Sequence, residues 1–244
     1  MIKFVVCVWN AERYVKKCID SIKRQKSKNF EVYIIDDVSN DYTNEIIRNE
    51  IANDDRFKLI TNVEKKFKLK NLDDLISTFD DDDIVIELDG DDYLFDDSVV
   101  GDIQEVYSNE KVWLTNGSFI YTNGSPGFSS KCNPNTIRTD SFTFSHLRTW
   151  KSFLWKQIPK NYLQSPNGEY FKSAPDTAYS FALLELAGDE NYVFLPKVYY
   201  AYNANSPFNE HKPDSSGGGY NEQLKYANIS RNKPKLKKYI RPNL

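Results

Sequence analysis

Ile84-Val85-Ile86-Glu87-Leu88-Asp89-Gly90-Asp91-Asp92-Tyr93 is the stretch on which this chain is organised. A short apolar run with β-branched residues reads as a buried strand. It ends in three carboxylates around a glycine. In an open α/β sheet, ligands sit beyond the C-terminal ends of the strands. Carboxylates placed there two residues apart can share a hard divalent cation, and Mg²⁺ or Mn²⁺ suits oxygen ligands and substrate phosphates. Gly90 lets the backbone turn tightly between the two acids. The stretch therefore reads as the holder of a metal-bound nucleotide diphosphate. Its bland alternative is an Asp-Gly turn with solvated acids, and the rest of the chain has to decide between them.

Upstream, strands and helices alternate. Ile2 to Trp9 is a nearly continuous apolar run, as in a central strand of a parallel sheet. Asn10 is the expected N-cap of a helix that turns Tyr14, Val15, Cys18, Ile19 and Ile22 to one side. Phe30 to Ile35 reads as a second strand, closed by the polar turn Asp36-Asp37-Val38-Ser39-Asn40-Asp41 ahead of a helix from Tyr42 to about Ile51. Phe57 to Thr61 is a third strand, and Lys70 to Phe79 a helix carrying Leu72, Leu75, Ile76 and Phe79 inward. The four aspartates Asp80 to Asp83 precede the Ile84 strand, so they belong to the far end of the sheet and read as a solvated loop. Short links between alternating elements predict a parallel sheet with right-handed crossovers.

The second half is less regular. A helix is expected over Asp96–Tyr107, then one or two strands over Lys111–Thr122 around an Asn116-Gly117 turn. Asn123 to Asp140 reads as a long loop rich in Gly, Ser, Pro and Asn. Ser145 to Gln157 reads as a helix that starts with His146 and Arg148 in surface or capping duty, and Asp176 to Ala187 as a second helix. Tyr192–Leu195 and Val198–Tyr202 read as short strands around Pro196. From Asn203 on the chain is polar and rich in Pro and Gly, with Ser215–Gly219 a hinge and Lys233, Lys235, Lys237 and Lys238 a solvated face.

Composition bounds the function. With 244 residues and a net charge of -3 of mixed sign, the chain can bury a large core and lacks the basic stripe of a nucleic-acid binder. Cys7, Cys18 and Cys132 are an odd number at no metal-ligand spacing, which suits a reducing compartment. With no signal peptide and no apolar span of membrane length, the expectation is a soluble, cytoplasmic protein.

Three strand ends point the same way: Val8-Trp9-Asn10, Asp36-Asp37 and Asp89-Gly90-Asp91. In that order they resemble the family 2 glycosyltransferases of the GT-A fold. Asp54-Asp55-Arg56-Phe57, Asn71, Asp176 and the Tyr199-Tyr200-Ala201-Tyr202 strand are similar to the family as well. The likeness is dense over residues 2–100, moderate over 145–205 and absent beyond. It departs at Val38, where the family has Gly, at Val8, and at Pro175, which replaces a Glu. The Gln/Arg-x-x-Arg-Trp motif of processive synthases is missing, which favours addition of single sugars.

The resemblance implies a GT-A-like α/β domain, a Rossmann-type, mostly parallel sheet flanked by helices, over 1–204. Residues 1–100 would bind the donor, 101–204 the acceptor, and 205–244 would be a short, irregular, flexible extension. It implies transfer of one sugar from a nucleotide-sugar of the UDP class to a carbohydrate or glycosylated acceptor, with Mn²⁺ or Mg²⁺ and inversion. Val8, Trp9, Asp37, Asn71, Asp89 and Gly90 would hold the donor, with Asp37 on the uracil imide. Asp89, Asp91 and the late His211 would ligate the metal, and Asp176 would be the general base, with Glu169 in reserve. Asp37 and Asp176 could equally be helix caps. The competing readings are a sugar nucleotidyltransferase, although residues 8 to 17 lack the glycine its phosphate loop needs, and a glycan binder without catalysis.

Overall fold

The computed structural model describes residues 1–206 and 219–242. Its spine is an eight-stranded mixed sheet in the order β3-β2-β1-β4-β7-β6-β8-β5. The first four strands in chain order are β1 (Ile2–Val8), β2 (Phe30–Asp36), β3 (Phe57–Thr61) and β4 (Ile84–Asp89), joined in parallel. Their crossovers are α1 (Val15–Lys23), α2 (Thr43–Ile51) and α3 (Phe67–Ile76). The second half adds β5 (Tyr93–Leu94), α4 (Val99–Tyr107), β6 (Leu114–Tyr121), β7 (Arg148–Lys151), α5 (Ser152–Lys156), α6 (Pro175–Ala187), β8 (Tyr192–Tyr202) and α7 (Gly219–Arg231). β7 runs antiparallel to both β4 and β6, so the sheet is mixed beyond β4.

The period of two along β1 sorts its side chains onto two apolar layers. Ile2, Phe4, Val6 and Val8 pack with Ile19 and Ile22 of α1, Ile47 of α2 and Val100 and Ile103 of α4. Val5 faces the other layer, with Leu72 and Ile76 of α3, Trp155 of α5 and Leu183 of α6. A fully buried Ile or Leu contributes about 1.5–3 kcal/mol, so α1 is held by Val15, Cys18, Ile19 and Ile22 and α3 by Leu69, Leu72, Leu75 and Ile76, and neither by a side-chain cap.

Several sequence expectations need correction. Asn10 does not cap α1. Its φ of 51° is left-handed, the chain turns once more over Ala11, and the helix starts at Val15. The Asn10 side chain instead accepts from the Asn40 amide, tying the β1 end to the β2 end. The expected helix over 145–157 is β7 followed by the short α5, because Arg148–Lys151 completes the sheet against β4. Asn116-Gly117 is no turn: both lie inside β6, where the ladder to β8 shifts register at Gly117 and Ser118. Residues 192–202 form one strand through Pro196. Asp83 is not solvated; it is buried against the Met1 ammonium at 3.0 Å.

The expected irregular extension holds a helix over Gly219–Arg231, followed by irregular chain to residue 242, and both parts pack on the domain. α7 packs on α6, Tyr226 lies against Phe171, and the Tyr239 amide donates to the Leu186 carbonyl. Lys233, expected on a solvated face, donates to the Asn161 and Gln164 carbonyls, and burial pushes its ammonium down to about 8. Among the described residues no helix is long and apolar enough to cross a membrane.

Candidate active site

The parallel register builds the site. Cys7 on β1 stands beside Asp89 on β4, and Val8 stands beside Asp36 on β2. The chain order reverses at β1, which has β2 on one side and β4 on the other, so a crevice opens at their carboxyl ends. The Asp37 amide donates to the Val8 carbonyl and the Gly90 amide to the Cys7 carbonyl, which carries the ladder one residue past the strands.

A cavity of about 210 Å³ fills this crevice. Val8, Trp9, Asp37, Asn71, Asp89 and Gly90, the six residues expected to hold a donor, all line it. The Lys65 ammonium lies over the Trp9 ring, and burial lowers its affinity for the proton. Asp37 does not cap α2. Its Oδ1 accepts from the Asn62 side chain and the Lys66 amide, and its Oδ2 from the Phe67 amide, so it fixes the start of α3. Oδ2 keeps the larger spare capacity, since a carboxylate oxygen takes two donors. Asn71 Oδ1 accepts from Asn62, while its buried Nδ2 has no hydrogen-bond partner. A buried amide N–H₂ left unpaired in a cavity wall is a donor prepared for a ligand oxygen.

A second cavity, of about 610 Å³, adjoins the first. Lys68, Asp89 and Asp91 line both. Asp176, at the head of α6 and one-third exposed, lines the second. It accepts from the Thr177 amide, its neighbour in the first turn, as a carboxylate at a helix start does. Glu169 is exposed and bonds within its own turn. His211 lies outside the described residues.

Buried charges that sequence reading missed join these groups. Lys68 on α3 pairs with Asp89 and, at 2.6 Å, with Glu87 in the middle of β4. Register places Glu87 opposite Arg148 on β7, with Nε to Oε2 at 2.8 Å. Arg148 reaches Asp176 at 3.6 Å, and the Tyr179 hydroxyl donates to Glu87. The signs alternate from Asp89 to Asp176. Burial would raise the Glu87 carboxyl, but Arg148 and Lys68 outweigh it and hold it below the usual carboxylate range. His146 and Arg148 are therefore not surface caps: both are buried, and burial with the Arg148 charge keeps the imidazole neutral. The signal in the sequence was Glu87 itself, one charge inside an apolar strand, which demands a buried cation.

The acids beyond β4 are crowded. Burial, then the neighbouring carboxylates, raises the affinity of Asp91 and Asp92 for protons. Asp89, Asp92 and His146 bring ligand atoms within 4.8 Å of one another. Asp92 also accepts from the Tyr200 hydroxyl and the Asn203 amide, so it anchors β8 as well. Crowded carboxylates beside a neutral imidazole fit a divalent cation of the Mn²⁺ or Mg²⁺ kind. Asp91 is not one of that trio; it lies at the junction of the cavities.

Known proteins resemble this chain in the same parts. The family model described as glycosyl transferase family 2 matches residues 3–185. EpsH of Bacillus subtilis (strain 168), a protein named as a glycosyltransferase, is 34% identical over 59 residues, 24% of this chain and 17% of EpsH. S. aureus TarS 1-349, solved in complex with UDP-GlcNAc, superposes with a TM-score of 0.66 at 21% identity, covering 84% of this chain and 59% of that one. The mannosyltransferase PcManGT from Pyrobaculum calidifontis, solved with GDP-Man and Mn²⁺, gives 0.56 at 15% identity, over 84% and 57%. At those identities the two structures establish the shared fold, the curled α/β sheet flanked by helices. The chain spans only part of the length of each of these relatives.

Proposed function

The chain belongs to glycosyl transferase family 2, and from that premise we propose that it moves a single sugar from a UDP-sugar to a carbohydrate or glycosylated acceptor, inverting the anomeric carbon. The supporting observation is the pair of adjoining cavities that share Lys68, Asp89 and Asp91. In this reading residues 1–100 hold the donor and 101–204 the acceptor. Trp9 stacks on the base beside Val8 and Gly90, Asp37 Oδ2 accepts the uracil imide N–H, and Asn71 Nδ2 donates to an oxygen of the nucleotide. Asp89, Asp92 and His146 would hold Mn²⁺ or Mg²⁺, with Asp91 at the cavity junction and His211 as further candidate ligands by family resemblance. A bound divalent cation supplies charge neutralisation at the diphosphate as it departs. Asp176 takes the proton of the acceptor hydroxyl while that oxygen bonds to the anomeric carbon and the bond to the diphosphate breaks, releasing UDP. The unpaired thiols Cys7, Cys18 and Cys132 fit a cytoplasmic setting.

Two experiments test the reading. In a thermal-shift series, UDP with Mn²⁺ should raise the melting temperature more than GDP or ADP, since a ligand that binds only the folded state stabilises it by mass action. Equal shifts for the three nucleotides would remove Asp37 from base recognition. Asp176→Asn should lower kcat for UDP release by about two to four orders of magnitude, the usual worth of a general base, with the donor dissociation constant unchanged. A variant that melts lower but turns over normally would make Asp176 a cap and pass the base role to Glu169.

A further inference from the structure

The larger cavity has a second kind of lining, which the donor chemistry does not use. Phe119, Tyr121, Phe128, Phe142 and Tyr202 wall it. Four of these rings form one cluster around Phe119, whose centroid is 5.2 Å from Tyr121, 5.3 Å from Phe128 and 5.8 Å from Tyr202. The cluster is assembled from β6, β8 and the segment between β6 and β7. That segment lies on the Phe119 ring because residue 127 is glycine: a Cβ there would sit 2.5 Å from Phe119 Cε1. The Gly127 amide donates to the Phe119 carbonyl at 2.8 Å, which places Phe128 next to the cavity. Phe119 is buried, but Phe128 is 52% exposed, and Tyr121 and Tyr202 keep part of their rings open. Aromatic surface left open inside a concave site is surface kept for a ligand.

The charges of the same cavity narrow the ligand. Among the described lining residues the cations are Lys68, paired with Glu87 and Asp89, and Arg148, which is buried against Glu87 with its Nη1 3.6 Å from Asp176 and without a hydrogen-bond partner. Four carboxylates stand with them: Asp89, Asp91, Asp92 and Asp176. Asp176 is the acid left over from the proposed metal site, and an acceptor bearing phosphate or carboxylate would bring an anion beside it with no exposed, unpaired cation among the described lining residues to meet it. A pyranose is neutral and two-faced. Its C–H face suits the negative face of an aromatic ring, and its rim of hydroxyls suits carboxylates and the Gln223 amide at the cavity edge. We propose that this cavity binds a neutral pyranose of the acceptor, laid on Tyr121, Phe128 and Tyr202 with a hydroxyl turned to Asp176. The inference rests on the donor and acceptor reading above and specifies its acceptor class.

Saturation-transfer NMR on the full chain with UDP and Mn²⁺ tests it. The probes are the methyl pyranosides of glucose, galactose and N-acetylglucosamine, methyl glucuronoside and ribitol 5-phosphate. At least one neutral pyranoside should bind more tightly than both anionic probes. Its affinity should fall about three- to tenfold in Phe128→Ala and in Tyr121→Ala, the worth of one aromatic contact. Phe128→Ala should still melt near wild type, because half of its ring is already in water. Tighter binding of either anionic probe, no binding of any neutral one, or unchanged affinity in both variants would overturn the proposal. UDP titrated into the same samples separates the two layers. UDP binding without neutral-probe binding defeats this inference alone, whereas no UDP binding with Mn²⁺ defeats the donor reading beneath it.

Discussion

Glu87 shows how one residue can set the electrostatics of a site. It is buried on β4 and serves two cations, Lys68 from α3 and Arg148 from β7. Removing one partner of a buried ion pair leaves the other charge uncompensated, at a cost of about 3–5 kcal/mol. Glu87→Gln keeps the shape but leaves Lys68 with Asp89 alone and buried Arg148 with only the 3.6 Å approach to Asp176, so a loss toward the lower end of that range is expected in urea unfolding at pH 7. The pH dependence has a definite sign. The folded-state Glu87 carboxyl is held below its unfolded value, which lies near about 4.3. Its contribution is therefore fully present above that value and is lost as pH falls below it toward the folded-state value. Wild type should lose urea stability steeply below about pH 4, and Glu87→Gln should lose less over the same window. Parallel pH profiles would show that Glu87 is not the acid-sensitive group.

At the scale of elements, the turns that lead into helices carry the strain. Among the described residues four non-glycines have positive φ: Asn10, Val38, Phe67 and Ala174. Asn10 and Phe67 line the smaller cavity, and Ala174 precedes the Asp176 turn. Such strain collects where surrounding structure holds a site in shape. Val38 has φ 65° at the position where the family resemblance has Gly, and a β-branched side chain is badly suited to it. Val38→Gly should stabilise the protein by about 1 kcal/mol, the strain relieved exceeding the entropy that glycine costs. A lower melting temperature would show that Val38 packing matters more. Gly90 behaves oppositely. Its φ is not left-handed, and what requires glycine is close approach: a Cβ would lie 2.2 Å from Val8 Cγ1. Gly90→Ala must push β1 and β4 apart, so a loss of about 1–3 kcal/mol is expected from overpacking, together with weaker nucleotide binding. Calorimetry with and without UDP reads both.

At the scale of the whole molecule, the carboxyl-terminal segment closes the second half. Arg138, from the loop between β6 and β7, pairs with Glu185 on α6 and donates to the Ser230 carbonyl on α7. The Leu236 amide donates to Glu185, Tyr239 packs on Trp113 and Phe153, and Arg241 returns to Asp82. A chain ending at residue 204 loses these contacts and the burial of Tyr226. Buried Tyr226 with half-buried Leu236 and Tyr239, together about 3–4 kcal/mol, translate to a melting temperature lower by roughly 10 °C for a chain of this size. A 1–204 fragment that melts with the full chain would make 205–244 an appendage.

The sequence by itself determined the four parallel strands, their helical faces and the acids at their ends. Those signals are local: a run of β-branched residues, a period of 3.6, a cluster of turn formers after each run. Hence Asp89 and Gly90 could be named from the strand end itself, the family resemblance added Asp37 and Asn71, and β1, β2, β3 and β4 fall within one residue of the stretches that the apolar runs mark. Only the tertiary structure decided which charges meet. Arg148 and Glu87 are 61 residues apart, and they pair because β7 is inserted antiparallel beside β4. No local period encodes that insertion, so His146 and Arg148 read as the start of a helix, and Asp92 and His146 were not seen as neighbours. α7 was missed for a related reason: its apolar residues form no clear stripe, and it is a helix because α6 offers it a surface. Local chemistry writes the elements, whereas buried charge pairs and late helices depend on long-range packing that forms only when the sheet closes.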